Sequence, residues 1–415
     1  MAAGQEIAAA AAKRDKNGYI RKYADTGGGN VRFLHLSDLH IGLKLMNRDL
    51  GEDQAFILRQ IVARAAELKP EAVVIAGDIY DKAVPSAEAV ETFDGFVASL
   101  SRALPGAEIM MISGNHDSAP RVNCFRSVLA RQKIHMIGLP PQQEGESIER
   151  VTLTDDYGPV HFYLLPFVRP SMVRMATGMN PDGSALSYDQ AVRRLIQREK
   201  IDPAQRNVLV SHQFYLPRGK GPDAVERMDS EIRTVGNIDA IGADVLEKFD
   251  YAALGHIHKA MTLGGEAMRY SGTPMACSVS EAGQEKGMLL VEMGEKGSVS
   301  VEKIPLLPLR RIRIVRGTGA EALKQACDDY VRVELTEAAS EGEGELQERL
   351  RSAFPRLLEV VRVARTAAEE EHLGTEQRPQ TDPYALCRAF LGEMNETDEA
   401  ILRDVLNAVM GGGVQ

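Results

Sequence analysis

Short apolar runs, each ending in a polar turn that carries a glycine, recur along this chain with amphipathic stretches between them. Val31 to Leu36 reads as a strand, and Ser37-Asp38-Leu39-His40-Ile41-Gly42 as the loop after it. From Gln54 to Leu68 the apolar residues Phe56, Ile57, Ile61, Val62 and Leu68 recur at helical spacing until Pro70 stops the pattern. Ala72 to Ala76 predicts a second buried strand running into Gly77-Asp78-Ile79-Tyr80-Asp81. A helix follows from about Ala87 to Ser101, and Ile109 to Ile112 predicts a third strand that ends in Ser113-Gly114-Asn115-His116-Asp117. Strand and helix alternating at this spacing predict parallel or mixed α/β layers.

The pattern continues less regularly. Val160 to Phe167 and Asn207 to Val210 predict strands, the second ending at Ser211-His212-Gln213, and residues 214 to 238 read as a long polar loop. Tyr251 to Leu254 predicts a strand ending at Gly255-His256-Ile257-His258, with Tyr270 to Pro274 and Gly287 to Met293 as further strands. The composition changes near Pro305 to Pro308. Beyond it, strand-like Arg311 to Val315, Tyr330 to Leu335 and Leu357 to Val363 alternate with helical Ala320 to Ala326 and Glu345 to Phe354, a small α/β module. Two helices, about Pro383 to Met394 and Asp398 to Met410, finish the chain. The domains expected are a poorly ordered extension at 1–30, a main domain at 31–308, a small α/β domain at 309–366, a polar linker at 367–382 and a helical segment at 383–415.

With 415 residues and 44% apolar content, two cores are within reach. The net charge of -10 argues against a protein coated in basic surface, so nucleic acid would need a local patch or a bound cation. Cys124, Cys277, Cys327 and Cys387 form no CxxC pair, which fits a reducing cytoplasm and offers no zinc framework. No apolar run reaches the roughly 18 residues of a membrane span. A soluble, cytoplasmic protein is expected.

The chemistry lies at the predicted strand ends. Five polar clusters, Asp38/His40, Asp78, Asn115/His116, His212 and His256/His258, each follow a strand and together hold five of the nine histidines. Carboxyl ends of strands are where open α/β sheets place ligands. In Asp-x-His and His-x-His, side chains two apart on an extended segment point the same way. Imidazole and carboxylate without thiolate suit Mn²⁺, Fe²⁺ or Zn²⁺, and there are more donors than one ion needs. Two ions sharing a carboxylate, roughly 3.5 to 4 Å apart, would clamp the attacking and leaving oxygens of a phosphoryl displacement.

Asp38-x-His40, Gly77-Asp78, Gly114-Asn115-His116-Asp117, Ser211-His212 and Gly255-His256-x-His258 resemble, in order, the full motif set of the calcineurin-like metallophosphoesterases. His35 to Gly42, Ala76 to Ser86, Leu164 to Phe167 and Ala253 to His258 narrow the resemblance to the SbcD-type nuclease subunits, from Val31 to about Leu309 and more weakly beyond. It implies an α/β fold: a calcineurin-like layered sandwich with a small C-terminal α/β capping domain and terminal helices. It also implies that Asp38, His40 and His258 hold one Mn²⁺, that Asn115, His212 and His256 hold the other, that Asp78 bridges them, and that His116 is a non-ligand imidazole beside the scissile phosphate. Mg²⁺, Fe²⁺ or Zn²⁺ are the other metals it allows.

Asp81 and Asp117 read as supporting or capping groups, and His35, His135, His161 and His372 match no motif. The activity implied is 3′ to 5′ exonuclease on duplex ends and endonuclease on single strands and hairpins, in break repair. The partners implied are DNA, an SbcC-like ABC-type ATPase bound by the C-terminal helices, and a second copy of the chain, giving a homodimer within a heterotetramer. Arg121, Arg126, Arg218 and Lys220 lie in loops after motifs where they could reach a phosphate backbone, or serve as solvated surface charge. The alternatives are a phosphoesterase for small phosphodiesters or phosphoproteins, and a catalytically dead scaffold.

Overall fold

The computed structural model describes residues 29–221, 224–231, 238–337, 343–363, 383–391 and 394–411. Most of the extension expected at 1–30, the linker expected at 367–382, and His372 lie outside them.

Residues 31–305 build two six-stranded sheets laid face to face. In the first, Val31–Leu36, Ala72–Ala76, Glu108–Ile112 and Ile134–Ile137 run parallel, and Gly287–Met293 and Val299–Pro305 are added antiparallel on the Val31–Leu36 side. In the second, Gly158–Leu165, Arg206–His212, Tyr251–Gly255 and Met268–Tyr270 run parallel, flanked by antiparallel Glu149–Asp155 and Met261–Thr262. The strands are apolar on both faces because both are covered. Phe33, Val74, Met110 and Ile112 point inward and meet Phe162, Leu164, Val208, Val210 and Tyr251 of the opposite sheet. The Phe33 ring stands edge-on to Phe162 and Tyr251, with centroids 5.1 and 5.6 Å away. The alternate residues Leu34, Leu36, Val73, Ile75 and Met111 face outward against helices Gly51–Leu68 and Ala87–Ala103. Tyr188–Arg198 covers the outer face of the second sheet with Ala191, Val192, Leu195 and Ile196. The order of layers is thus helix, sheet, sheet, helix.

Beyond Leu306, Ile312–Gly317, Tyr330–Leu335 and Arg356–Arg362 form a parallel three-stranded sheet whose own core joins Val315, Val331, Val333, Leu350 and Phe354. Asp53, at the start of the Gly51–Leu68 helix, accepts hydrogen bonds from Arg310 and from the Tyr330 hydroxyl, both at 2.9 Å, fastening this module to the sandwich. Helices Pro383–Leu391 and Glu396–Gly411 touch through an Arg403–Tyr384 cation–π contact, and Phe390, Leu391, Ile401 and Val405 stay exposed.

Three local expectations fail. Residues 214 to 238 are not simply a polar loop: Phe214–Leu216 pairs with Ala240–Gly242, and Phe214, Tyr215, Val225 and Met228 are buried because the segment folds over the second sheet. The strand expected at Tyr270 to Pro274 is Met268–Tyr270 instead, and the chain leaves the sheet at Gly272, whose φ of 72° suits a turn. The strand ending expected at Phe167 comes at Leu165, since Pro166 has no N–H for the ladder.

Candidate dinuclear metal site

All five predicted clusters sit at carboxyl ends of parallel strands, and the two sheets bring these ends together. Asp38, His40, Asp78, Asn115 and His116 come from the first sheet, and His212, His256 and His258 from the second. The loops between are zipped by backbone hydrogen bonds, Asp38 N to Gly77 O and His40 N to Asp78 O, each 3.0 Å. The aiming of these side chains strains the backbone. Asp38, His40, Asp78 and His256 all have positive φ (54°, 44°, 49° and 100°), a region costing such residues on the order of 1 to 3 kcal/mol each. Glycine is required where the chains approach: a Cβ at Gly77 would strike the His212 imidazole, and one at Gly114 the carboxylate and backbone N of Asp78.

The donor atoms fall into two groups about Asp78. On one side His40 Nε2 and His258 Nε2 face each other at 3.1 Å, and Asp38 lies with His258 and His40 within ligating reach of a common centre. On the other side Asn115 Oδ1 is 3.0 Å from both His212 Nε2 and His256 Nδ1. Asp78 Oδ2 lies between, 3.7 Å from His40 Nε2 and 3.3 Å from His212 Nε2. His212 donates from Nδ1 to Ala76 O at 2.7 Å, which orients the ring so that Nε2 faces Asp78. His116 Nδ1 donates to Asp81 O at 2.8 Å, and its Nε2 lies 4.0 Å from Asp78 Oδ2. Asp117 Oδ2 accepts from Ile79 N and Gly114 N, and Oδ1 from Tyr80 N, clasping the Asp78 loop to the Asn115 loop.

The electrostatics are those of a cation site. Asp38 and Asp78 are buried carboxylates. Burial raises the Asp38 pKa against the pull of His212 and His258. Burial also opposes the Asp78 charge, but His212, His116 and His40 outweigh it and hold Asp78 well below the usual carboxylate range. Burial opposes charge on His212 too, yet Asp78 and Asp38 raise it to about 9. Burial and repulsion from His116 push His40 far down, and burial with Arg227 does the same to His256. Burial together with Asp78 lifts Asp117 to about 6. Imidazole and amide donors converge around two buried carboxylates, and buried His40 Nδ1 has no hydrogen-bond partner among the described residues. This oxygen and nitrogen donor set fits a pair of divalent cations.

The other described histidines stay outside the site. His35 is buried between the Tyr251 hydroxyl at 3.0 Å and Leu254 O at 3.2 Å, His135 bonds Glu108, and His161 bonds Thr152. Of the basic residues in nearby loops, Arg126 pairs with Glu149 at 2.7 Å and Arg218 with Glu247 at 3.7 Å, while Arg121 and Lys220 are exposed. Motif reading missed the groups behind the histidines: Arg227 Nη2 lies 3.1 Å from His256 Nε2, and Ser230 Oγ 2.7 Å from His258 Nδ1, with Glu231 and Glu281 close by. It also missed Arg169, stacked over the Phe167 ring beside His212. No spacing in the sequence ties these residues to the motifs, because they arrive from separate loops.

Residues 31–260 match the family model described as calcineurin-like phosphoesterase, and the chain belongs to that family of metal-dependent phosphoester hydrolases. Residues 306–395 match the SbcD_C model, described as the Type 5 capsule protein repressor C-terminal domain. The two matches on one chain make it a metallophosphoesterase of the SbcD type. Among solved structures the chain is similar to TT1561 of Thermus thermophilus, at 13% identity over 66% of this chain and 99% of that one, TM-score 0.36. It is similar to a dimetal phosphatase from Danio rerio at 15% identity over 67% and 100%, TM-score 0.35. A third is GAP50, the anchor in the inner membrane complex of Plasmodium, at 11% over 67% and 90%, TM-score 0.38. Among the described residues no helix is long and apolar enough to cross a membrane.

Proposed function

We propose that this protein is a Mn²⁺-dependent DNA nuclease, a 3′ to 5′ exonuclease on duplex ends and an endonuclease on single strands and hairpins. In this reading it works within an SbcCD-like complex in double-strand break repair. The observation that carries the reading is the convergence of seven donors, Asp38, His40, Asp78, Asn115, His212, His256 and His258, with His116 Nε2 4.0 Å from Asp78 Oδ2. Asp38, His40 and His258 would hold one ion and Asn115, His212 and His256 the second, with Asp78 offered to both. Two Mn²⁺, when bound, supply Lewis acidity to phosphoryl oxygens and lower the pKa of water. The chain's own part is orientation and proton handling. His116, pinned through Nδ1 to Asp81 O, offers Nε2 to the leaving oxygen, and the buried carboxylates of Asp38 and Asp78 make the floor of the site favour cations.

DNA as substrate is supported by the SbcD_C match, and by Arg121, Lys220 and Arg169 as exposed cations on an otherwise acidic chain. Residues 31–308 act as the nuclease domain in this reading, 309–366 as the cap, and 383–415 as the partner-binding segment. The exposed Phe390, Leu391, Ile401 and Val405 suit docking on an SbcC-like ATPase, with a second copy of the chain completing a heterotetramer.

The test is cleavage of linear duplex DNA and of a small chromogenic phosphodiester with Mn²⁺, comparing wild type with His116→Ala and Asp78→Ala. Duplex DNA degraded by wild type, with roughly 100-fold or greater loss in His116→Ala, is the expected result. Cleavage of the small diester alone would move the assignment to the small-phosphodiester reading.

A further inference from the structure

Behind His258 lies a buried set of charged groups that phosphoester hydrolysis does not itself require. Glu281, on the turn Val279–Glu281, is fully buried. Its Oε2 accepts from Lys286 Nζ at 2.6 Å and Thr273 Oγ1 at 3.1 Å, and its Oε1 from Ser230 Oγ at 2.8 Å and Ser278 Oγ at 3.0 Å. Lys286, also buried, donates to His258 O at 3.0 Å, and Glu231 Oε1 accepts from His258 N at 3.0 Å. Ser230 Oγ lies 2.7 Å from His258 Nδ1. A hydroxyl has one proton, so the chain has one consistent direction: His258 Nδ1–H donates to Ser230, and Ser230 donates to Glu281.

His258 is therefore held at its amide, its carbonyl and its outer ring nitrogen, while Nε2 faces His40 Nε2 at 3.1 Å. Cys277 also lies near Glu281 and His258, close enough for the three to hold an ion of their own. That reading is weaker, because Lys286 and Ser230 occupy both oxygens of Glu281 and the Cys277 thiol is turned to Met275 O at 3.5 Å. A buried Glu–Lys pair adds little to stability compared with apolar packing of the same volume, so its geometric effect on His258 is the more informative property.

We infer that Glu281, acting through the Ser230 hydroxyl, is a positioning residue for His258: it fixes the Nδ1–H tautomer and so presents Nε2 to one of the two metal centres. The inference rests on the dinuclear reading of the site. Ligating histidines whose outer nitrogen is oriented in this way lose metal affinity roughly 10- to 100-fold when that partner is removed. The effect is confined to the centre that His258 serves, since His212 takes its orientation from Ala76 O and His256 contacts Arg227.

The experiment is titration of the purified full chain with Mn²⁺, reading free ion by its EPR signal, for wild type, Ser230→Ala, and the double variant Glu281→Gln/Lys286→Met. Ser230→Ala leaves the buried Glu281–Lys286 pair intact, and the double variant removes both charges together, so neither strands an unpaired charge in the core. Wild type binding two ions, with each variant binding one ion as tightly as wild type and the other roughly 10- to 100-fold more weakly, is the expected result. His258→Ala identifies that centre by weakening the same ion. Variants that take up both ions with wild-type affinity, or weaken both equally, overturn the inference. A wild type that takes up no Mn²⁺ overturns the metal reading beneath it.

Discussion

Replacing Asp117 by Asn tests whether the site is strained toward its metals. Asp117 touches no donor atom directly, yet its carboxylate accepts from Gly114, Ile79 and Tyr80 N–H at 2.9, 3.0 and 2.9 Å and so joins the loops bearing Asp78 and Asn115. An amide has one oxygen. Placed at the Oδ2 position, it keeps Gly114 and Ile79 and turns its NH₂ on Tyr80 N–H, losing about 2 kcal/mol for a bond to a charged acceptor. Against this, burial and the Asp78 charge have lifted Asp117 to about 6, so holding it ionised at pH 7.5 costs about 3 kcal/mol, and asparagine removes that cost. In metal-free protein the two terms nearly cancel, and thermal unfolding in EDTA at pH 7.5 should shift by only a few degrees. With Mn²⁺ bound, Asp78 is neutralised by the ions and the part of the relief that came from its charge disappears, while the part from burial stays. More of the lost bond then shows, as a lower Tm in saturating Mn²⁺ and a weakening of metal affinity of up to roughly tenfold. A variant destabilised equally with and without Mn²⁺ would refute the reasoning, because it would mean that Asp117 feels no charge at Asp78.

The histidines of the metal-free site favour folding most near pH 6.5. The folded-state pKa of His212 stands at about 9, above its ordinary 6.5, so its contribution, on the order of 3 kcal/mol, is fully present below 6.5 and lost as pH rises through 9. His40 and His256 are shifted the other way, and stability falls as pH drops below 6.5. Urea midpoints of EDTA-treated protein across pH 5 to 10 measure this, and a His212→Gln variant should flatten the alkaline limb. Far from the site, buried Arg206 joins Asp155 to the carbonyls of Gly158 and Gly294. Arg206→Met should cost about 3 kcal/mol or more, by stranding the Asp155 charge, while leaving the count of bound Mn²⁺ at that of wild type. Urea unfolding and metal titration of the same preparation check both halves.

Much of the fold was legible because its signals are local. Val31–Leu36 and Ala72–Ala76 are short apolar runs punctuated by glycine, and Gly51–Leu68 shows the helical period plainly. Helix Tyr188–Arg198 went unread although Ser187 and Gln190 form a capping box ahead of Ala191, Val192, Leu195 and Ile196, a signal present in the sequence. The short pairing of Phe214–Leu216 with Ala240–Gly242 had no such signal, since three-residue strands carry too little periodicity to stand out from loop. The site divides the same way. Its motif residues could be found because each follows a strand and strand ends meet at one edge. Glu281, Ser230 and Arg227 could not, because side chains that support a histidine are chosen by three-dimensional proximity and leave no fixed spacing.

The placement of the donors also says why two sheets are needed. The first sheet supplies Asp38, His40, Asp78 and Asn115, and the second supplies His212, His256 and His258, so neither sheet would hold a complete set for either of the two proposed centres. What sets the distance between the two half-sites is the shared apolar layer, where Phe33, Val74 and Met110 pack on Phe162, Val208 and Tyr251. Close-packed interiors transmit small displacements with little compliance. The four positive-φ donors are held against their local preference by that same layer and by the backbone bonds between the Asp38 and Asp78 loops. Ions bound across the gap would in turn stabilise the sheet pair, since they bind the folded arrangement and not the separated halves. Metal affinity and sheet packing are therefore one linked quantity in this chain, and loosening the inner core should be felt at the site before it is felt in either sheet alone.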